Sequence, residues 1–258
     1  CFSYLDEDLL LNLRLNILNR YVDYFVIIEG NKTWQNNPKK LNFDIKKFKE
    51  FEKKIIYIPV TDLPGGDNPY QRENFQRNAI SRGLIDSNDE DLIIISDLDE
   101  IPDPKKIKSF EKKMRYAVFK QLHFYYKLNL QSQRNPFWHG SRICVKKYLK
   151  SPQWLRNLKF KEYPFWRIDK MQNLQIIKNG GWHFAYLQTP ENISKKIQSF
   201  AHGEFNTNDI TNEENISLKI AKGQDIFERG YNLKKLEIDS TFPDYILQNK
   251  DKLKKWII

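Results

Sequence analysis

Asp97, Asp99 and Glu100 follow directly on the apolar run Leu92 to Ser96 in the stretch DLIIISDLDEIPD, residues 91–103. Read as a strand end, this places two carboxylates two residues apart, where both can turn onto one divalent cation. Hard oxygen donors suit Mg²⁺ or Mn²⁺, and the coordination positions left over suit diphosphate oxygens. Asp-x-Asp alone is most simply a solvated loop with an incidental pair. The strand before it, and Glu100 and Pro102 behind it, favour a functional turn. Two chemistries use one: nucleotide-sugar transferases hold cation and donor diphosphate there, whereas haloacid-dehalogenase-type phosphohydrolases use the first Asp as nucleophile in Asp-x-Asp-x-Thr or Val. Here the fifth residue is Ile101, two strands come before the motif, and no downstream Asp-Asp pair completes the phosphohydrolase set. The transferase reading wins, with a non-catalytic glycan-binding module third.

The elements that must position these carboxylates are legible from periodicity. Leu9, Leu10, Leu13, Ile17 and Leu18 recur at helical spacing, which predicts an amphipathic helix over 6–20. YVDYFVIIEG reads as a buried strand ending at Glu29 and Gly30, KKIIYIPV (53–60) as a second strand and DLIIIS as a third. A helix over 69–85, with Pro69 near its start, separates the last two. Strands that are nearly continuous in apolar residues and alternate with helices predict an α/β fold with a mainly parallel central sheet flanked by helices. Ligands of such sheets sit beyond the carboxyl ends of the strands, where Glu29 and the Asp97 cluster both fall. After residue 115 the alternating aromatic segments RYAVFKQLHFYYKLNLQ and NPFWHGSRICVKKYL predict an antiparallel, aromatic-rich C-terminal half. GGWHFAYLQ (180–188) reads as one more strand, and TPENISKKIQSFAH and TNEENISLKIAKG as helices, the first capped by Thr189. Nothing marks a linker or repeat, so residues 1–258 read as one domain.

Composition excludes several classes. Forty per cent apolar residues, with 17 Phe, 13 Tyr and 6 Trp, predict a globular core rather than disorder. No apolar run approaches the roughly 18–20 residues of a membrane span. No signal peptide is visible, and a chain that starts on Cys1 leaves room for an upstream segment. Two cysteines give neither a disulfide framework nor a zinc set, and they leave the compartment open: cytoplasmic or membrane-peripheral in a bacterial or viral setting, a secretory lumen in a eukaryotic one. The net charge of +10 favours phosphate-bearing partners and peripheral contact with an anionic membrane. Most of the lysines, as in FDIKKFKEFEKK and KDKLKKW, read as solvated helix faces, and no basic block carries a nucleic-acid motif.

FSYLDEDLLLNLRLNIL, VDYFVIIEGNKTWQNNPKKLNF, QRENFQRNAI, IIISDLDEIPD, GGWHFAY and SFAHGEFNT with GQDIFER occur in this order. Together they resemble glycosyltransferase family 17, from Phe2 to about Arg229. One such block is weak; the ordered set is specific. The resemblance implies a GT-A-type nucleotide-sugar fold, with 1–115 as the nucleotide-sugar half and 116–258 as the acceptor side. It also implies inverting transfer of GlcNAc from UDP-GlcNAc to a hydroxyl of a glycan acceptor, with a Mn²⁺ or Mg²⁺ ion; another nucleotide sugar on the same fold is the alternative.

Carried over residue by residue, the resemblance makes Asp97 and Asp99 contacts of metal and donor, with Glu100 in the extension behind them. It places Glu29, Thr33 and Lys39 at the donor, and Arg72, Glu73 and Arg77 on a helix where an arginine neutralises diphosphate. His183 matches a Gly-Trp-His block, as a third metal ligand, a diphosphate contact or a satisfied core histidine. His202 and Glu204 match a block near the acceptor, which makes Glu204 the first candidate general base and Glu100 the second. Asn36 and Lys40 depart from the family, which often has Gly and Pro there. Plainer readings stand beside these: Glu29 as a strand cap, Arg77 paired with Glu73 four residues before it, His123 and His139 as structural. Arg72 and Arg77 lie about 500° apart around their helix, so only one is expected at the diphosphate; Arg77 is the choice, leaving Arg72 for Glu73 or another carboxylate. Phe137 and Trp138 are the exposed aromatic candidates for stacking on the acceptor.

Overall fold

The structure, a computed structural model, describes residues 1–159, 174–199, 207–227, 229–230 and 232–258. It is a mixed α/β fold. β1 (Phe2–Ser3), β2 (Phe25–Gly30) and β3 (Ile55–Val60) form a parallel sheet in the order β1-β2-β3, with Ile27 opposite Phe2 and Tyr57. The helix α1 (Asp8–Leu18) makes the crossover from β1 to β2 and buries Leu10, Leu11, Leu13, Leu15, Ile17 and Leu18. This apolar side packs with Phe2, Ile27, Phe124, Trp182 and Phe184 into the largest core. The helix expected over 69–85 is α2 (Pro69–Asn78), capped by Asn68 and continued as a tighter 3₁₀ turn over Ala79–Leu84.

The second sheet corrects the expectation of a mainly parallel one. β4 (Leu92–Ile95), β5 (Glu100–Pro102), β6 (Tyr116–Tyr125), β7 (Leu130–Ser132), β8 (Phe137–Val145), β9 (Leu174–Ile177), β10 (Gly181–Ala185) and β11 (Leu233–Lys235) build it. β6 is its hub: it pairs antiparallel with β7 and β8 and parallel with β9 and β10. β4 pairs antiparallel with β8, and β5 antiparallel with β10. The sheet is mixed because the long β6 and β8 cross it in opposite directions, and neighbours of either orientation satisfy their edges. Apolar continuity reports burial on both faces and is blind to strand direction. The aromatic half is correspondingly not purely antiparallel.

The two sheets are stitched by Cys1. Its main-chain nitrogen donates to Ile94 O at 2.8 Å, and Ser96 N donates to Cys1 O at 3.2 Å. That is the bond pair a parallel ladder makes around Ile95, so β4 continues the first sheet beside β1. Both cysteines are free thiols, and Cys144 is buried. Among the described residues no helix is long and apolar enough to cross a membrane.

Candidate functional site

β1 is followed along the chain by β2 and β3 on one side, and the chain then returns to lay β4 on its other side. Such a reversal opens a crevice beyond the carboxyl ends of the two strands that part there. Tyr4 and Leu5, just past β1, and Asp97 to Glu100, just past β4, line a cleft of ≈ 510 Å³ at this point. Its lining mixes charged and aromatic side chains: Thr33, Trp34, Lys39 and Arg77 come from the segment before β4, and Tyr125, Trp138, Tyr186 and Arg229 from the segment after β5.

Two arginines hold that turn, one buried and one half-buried. Arg14 sits on the core-facing side of α1, with its guanidinium 4.5 Å from the Phe2 ring centroid. It donates to the carbonyls of Asp97 and Leu98 at 3.2 Å, of Glu100 at 2.8 Å, and to Ser96 Oγ at 2.6 Å. Arg156, on α4 (Pro152–Asn157) when the short helix Pro104–Ile107 is counted as α3, takes the side chains instead. Its Nη2 lies 2.6 Å from both Asp97 Oδ2 and Glu100 Oε1, and its Nη1 2.8 Å from Glu100 Oε2. Glu100 also accepts from Trp138 Nε1 at 2.7 Å and from Asp97 N at 3.2 Å. Gly140 is required beside it, since a Cβ there would fall 1.8 Å from Gln121 Oε1 and 3.1 Å from the Glu100 carboxyl carbon.

The three carboxylates therefore differ. Glu100 is buried and saturated by donors. Asp97 is shared between Arg156 and Arg77, whose Nη2 is 3.3 Å from Oδ1. Burial works against its ionised form, but the two guanidinium groups outweigh it and hold the carboxyl below the usual range. Among the described residues no guanidinium pairs with Asp99: Oδ1 lies 3.6 Å from His183 Nε2 and Oδ2 3.7 Å from Lys196 Nζ. Again burial opposes ionisation, and Lys196 and His183 prevail, so Asp99 is ionised well below neutral pH.

His183 arrives on β10, whose first residue, Gly181, has φ +126° and would place a Cβ 2.2 Å from Ile101 O. The Gly-Gly-Trp-His spacing thus serves the close β5–β10 pairing that puts His183 opposite Glu100. The His183 ring stacks on His123 at 4.7 Å with an 8° interplanar angle, and Trp138 leans on both. Burial, with His183 adding to it, pushes His123 down to about 3, so it is neutral at physiological pH. Its Nδ1 faces Asn135 O at 3.1 Å. Among the described residues no group of three or more His, Cys, Asp or Glu side chains is arranged to hold a metal ion.

The other expected donor residues divide sharply. Thr33 and Lys39 line the cleft, as does Arg77. Glu29 does not. It is fully buried, and its carboxylate accepts from Lys39 Nζ (2.5 Å), Asn42 N (2.7 Å), Phe43 N and Tyr57 Oη (both 3.0 Å). It organises the loop after β2, close to the capping role that is its plainer reading. In that loop Asn36 has φ +70°, the left-handed conformation that Gly adopts freely and Asn tolerates. Arg72 is also buried, outside the cleft, donating to Trp34 O at 2.6 Å and to Gly66 O. Among the described residues it pairs with no carboxylate. Glu73 pairs with Arg77 at 2.9 Å, the i,i+4 partnership. Phe137 and Trp138 are exposed, 43% and 40%. Glu204 and His202 lie outside the described residues.

Sequence reasoning missed Arg14, Arg156, Glu7 and Lys196. Arg14 had a signal, since it falls four residues after Leu10 on the apolar side of the helix. Arg156 had none, for its partners lie 56 and 59 residues away. Its removal leaves the buried Glu100 without its guanidinium partner, so Arg156→Ala is expected to cost about 3–5 kcal/mol of folding stability. Urea unfolding measures it; a loss under about 1 kcal/mol, the scale of an exposed pair, contradicts the clamp.

Known proteins bear on this arrangement as follows. The human protein Beta-1,4-mannosyl-glycoprotein 4-beta-N-acetylglucosaminyltransferase is 24% identical over 228 residues, 76% of this chain but 42% of that relative. The chain thus spans about two-fifths of its relative's length. No solved structure matches. The sequence model of glycosyltransferase family 17 matches residues 3–237, a span that includes the turn at Asp97, the Arg156 clamp and the His183 strand. The chain belongs to glycosyltransferase family 17.

Proposed function

We propose that this protein is an inverting, GT-A-like glycosyltransferase that moves a sugar, GlcNAc from UDP-GlcNAc, to a hydroxyl of a glycan acceptor. One observation carries the reading: Asp99, which no guanidinium among the described residues engages, lines a cleft whose walls carry both basic and aromatic side chains. Family membership and the human relative support it, as does the reversal of strand order beside β1. In this reading the nucleotide diphosphate lies beside Arg77, Lys39 and Thr33, and the acceptor beside Tyr125, Trp138 and Tyr186, whose rings offer flat apolar faces to a sugar. Phe137, next to Trp138 on β8, does not line the cleft.

The Asp99 carboxylate and the His183 imidazole suit Mn²⁺ or Mg²⁺ as a two-ligand set that diphosphate oxygens complete. Asp97, engaged by two guanidinium groups, orients the turn rather than serving as a full ligand. When bound, the cation supplies positive charge to the leaving diphosphate. Arg77 adds fixed positive charge there at no reorganisation cost. Deprotonation of the acceptor hydroxyl needs a carboxylate not already paired with a cation. Among the described residues Glu7, Glu73, Asp97, Asp99 and Glu100 each face an ammonium, imidazole or guanidinium group. Glu204, five residues beyond the cleft-lining Ser199, remains the proposed base.

A donor screen tests the reading. UDP, GDP and CMP release is measured from the matching nucleotide sugars with and without Mn²⁺, with glycan acceptors present. UDP release from UDP-GlcNAc is expected. Release of another nucleotide reassigns the donor, and turnover of a phosphomonoester with no nucleotide released overturns the transferase assignment.

A further inference from the structure

We propose that Lys196 closes Asp99 to a divalent cation until a diphosphate enters the cleft, so that metal and nucleotide bind as one unit. The inference rests on the metal-and-nucleotide reading above and adds a residue that neither the motifs nor the comparisons assign. Lys196 lies on α5 (Pro190–Ser199), in the run ISKKIQS. Its neighbour Lys195 is a surface residue paired with Glu191 at 2.6 Å, the solvated role that composition assigns to such lysines. Lys196 is turned inward instead and is buried. Its Nζ lies 3.0 Å from Glu7 Oε1, 3.7 Å from Asp99 Oδ2 and 5.8 Å from the Tyr186 ring centroid.

Asp99 is therefore flanked by two nitrogen groups, one on each oxygen. His183 Nε2 stands at Oδ1 as a potential co-ligand. The Lys196 ammonium stands at Oδ2 as a resident positive charge. A divalent cation bound at Asp99 would sit beside that ammonium in a cleft where charges are weakly screened, and like charges at such range oppose each other strongly. The ammonium has somewhere to go. Glu7 is a fixed second acceptor, its Oε2 held by Leu5 N at 3.1 Å and Asp6 N at 3.3 Å. A diphosphate supplies the missing negative charge: it can accept from Lys196 and ligate the cation at once, which turns repulsion into a shared neutralisation. Metal affinity then rises with diphosphate present, and by linkage nucleotide affinity rises with metal by the same factor.

The test reads Mn²⁺ affinity by calorimetry on the whole chain, alone, with UDP and with UMP, which has no diphosphate. The wild type is expected to bind Mn²⁺ about tenfold or more tightly with UDP than alone, the range of ordinary coupling, and UMP is expected to give less. Lys196→Met keeps the side-chain volume and removes the charge. It is expected to bind Mn²⁺ without nucleotide about tenfold more tightly than the wild type, with most of the UDP effect gone. Glu7→Gln acts in the opposite direction: it removes a negative charge that shares the ammonium with Asp99, biases Lys196 toward Asp99 and is expected to weaken Mn²⁺ binding. If Lys196→Met does not fold, judged by near-UV circular dichroism, Glu7→Gln decides, and unchanged or tighter binding there overturns the proposal. Equal nucleotide-free Mn²⁺ affinity in the wild type and a folded Lys196→Met also overturns it, while a UDP-dependent Mn²⁺ site in both leaves the functional reading standing. If UDP binds and Mn²⁺ binds to no form, the proposal and the cation part of that reading fall together, and the donor part survives.

Discussion

Asp99→Ala lowers sugar transfer by about 10²–10³-fold or more, the scale of losing a group aimed at charge that develops in the transition state, while the protein stays folded. The separation of the two effects follows from the geometry. No guanidinium among the described residues pairs with the Asp99 side chain, and its partners have other supports: Lys196 keeps Glu7, and His183 keeps its stack on His123. The main-chain carbonyl of Asp99, which accepts from Phe184 N at 2.9 Å, is untouched by the substitution. Asp97→Ala loses activity by another route, because it strips one partner from Arg156 and one from Arg77 and loosens the turn itself. Initial rates of UDP release, with melting curves of both variants, make the comparison. Near wild-type turnover in Asp99→Ala removes the central assignment.

Glu204→Gln is expected to lower turnover by roughly two to four orders of magnitude, the usual scale for a lost general base, with nucleotide and Mn²⁺ affinities unchanged. The described carboxylates of the cleft argue for it by their occupation. A carboxylate whose oxygens already accept from a guanidinium or ammonium has less lone-pair capacity left to turn on an acceptor hydroxyl. Glu100, the second candidate, is in the weakest position, since Arg156 holds both its oxygens and Trp138 caps one of them. Single-turnover kinetics of the Gln variant, beside its affinity for UDP, separate a lost base from a lost fold. If turnover survives, Glu204 is structural, and a carboxylate released by substrate binding, Glu7 or Glu73, takes its place as the candidate.

The sequence by itself determined the elements that close on their own neighbours. The apolar spacing of residues 8–18 allowed one amphipathic helix, and the apolar runs around Phe25–Gly30 and Ile55–Val60 read as strands, of which the first is buried throughout and the second is half-buried. It also determined that three carboxylates follow a strand end, and that Arg72 and Arg77 could not serve one site, because helical rotation sets them on different faces. Tertiary structure decided what those groups do. Strand direction in the second sheet depended on which edges β6 and β8 left open, and periodicity carries no record of that. Glu29 became a loop anchor because Asn42 N, Phe43 N and Tyr57 Oη reach it from later in the chain. Of the three carboxylates that line the cleft at the turn, Asp97 and Glu100 are held by guanidinium groups that arrive on separate helices, while Asp99 meets His183 and Lys196 instead. A charge in a sequence has a type and a position. Its partner, and hence its chemistry, is fixed only when burial brings distant charges within a few ångströms, where the cost of leaving any of them unpaired selects one arrangement.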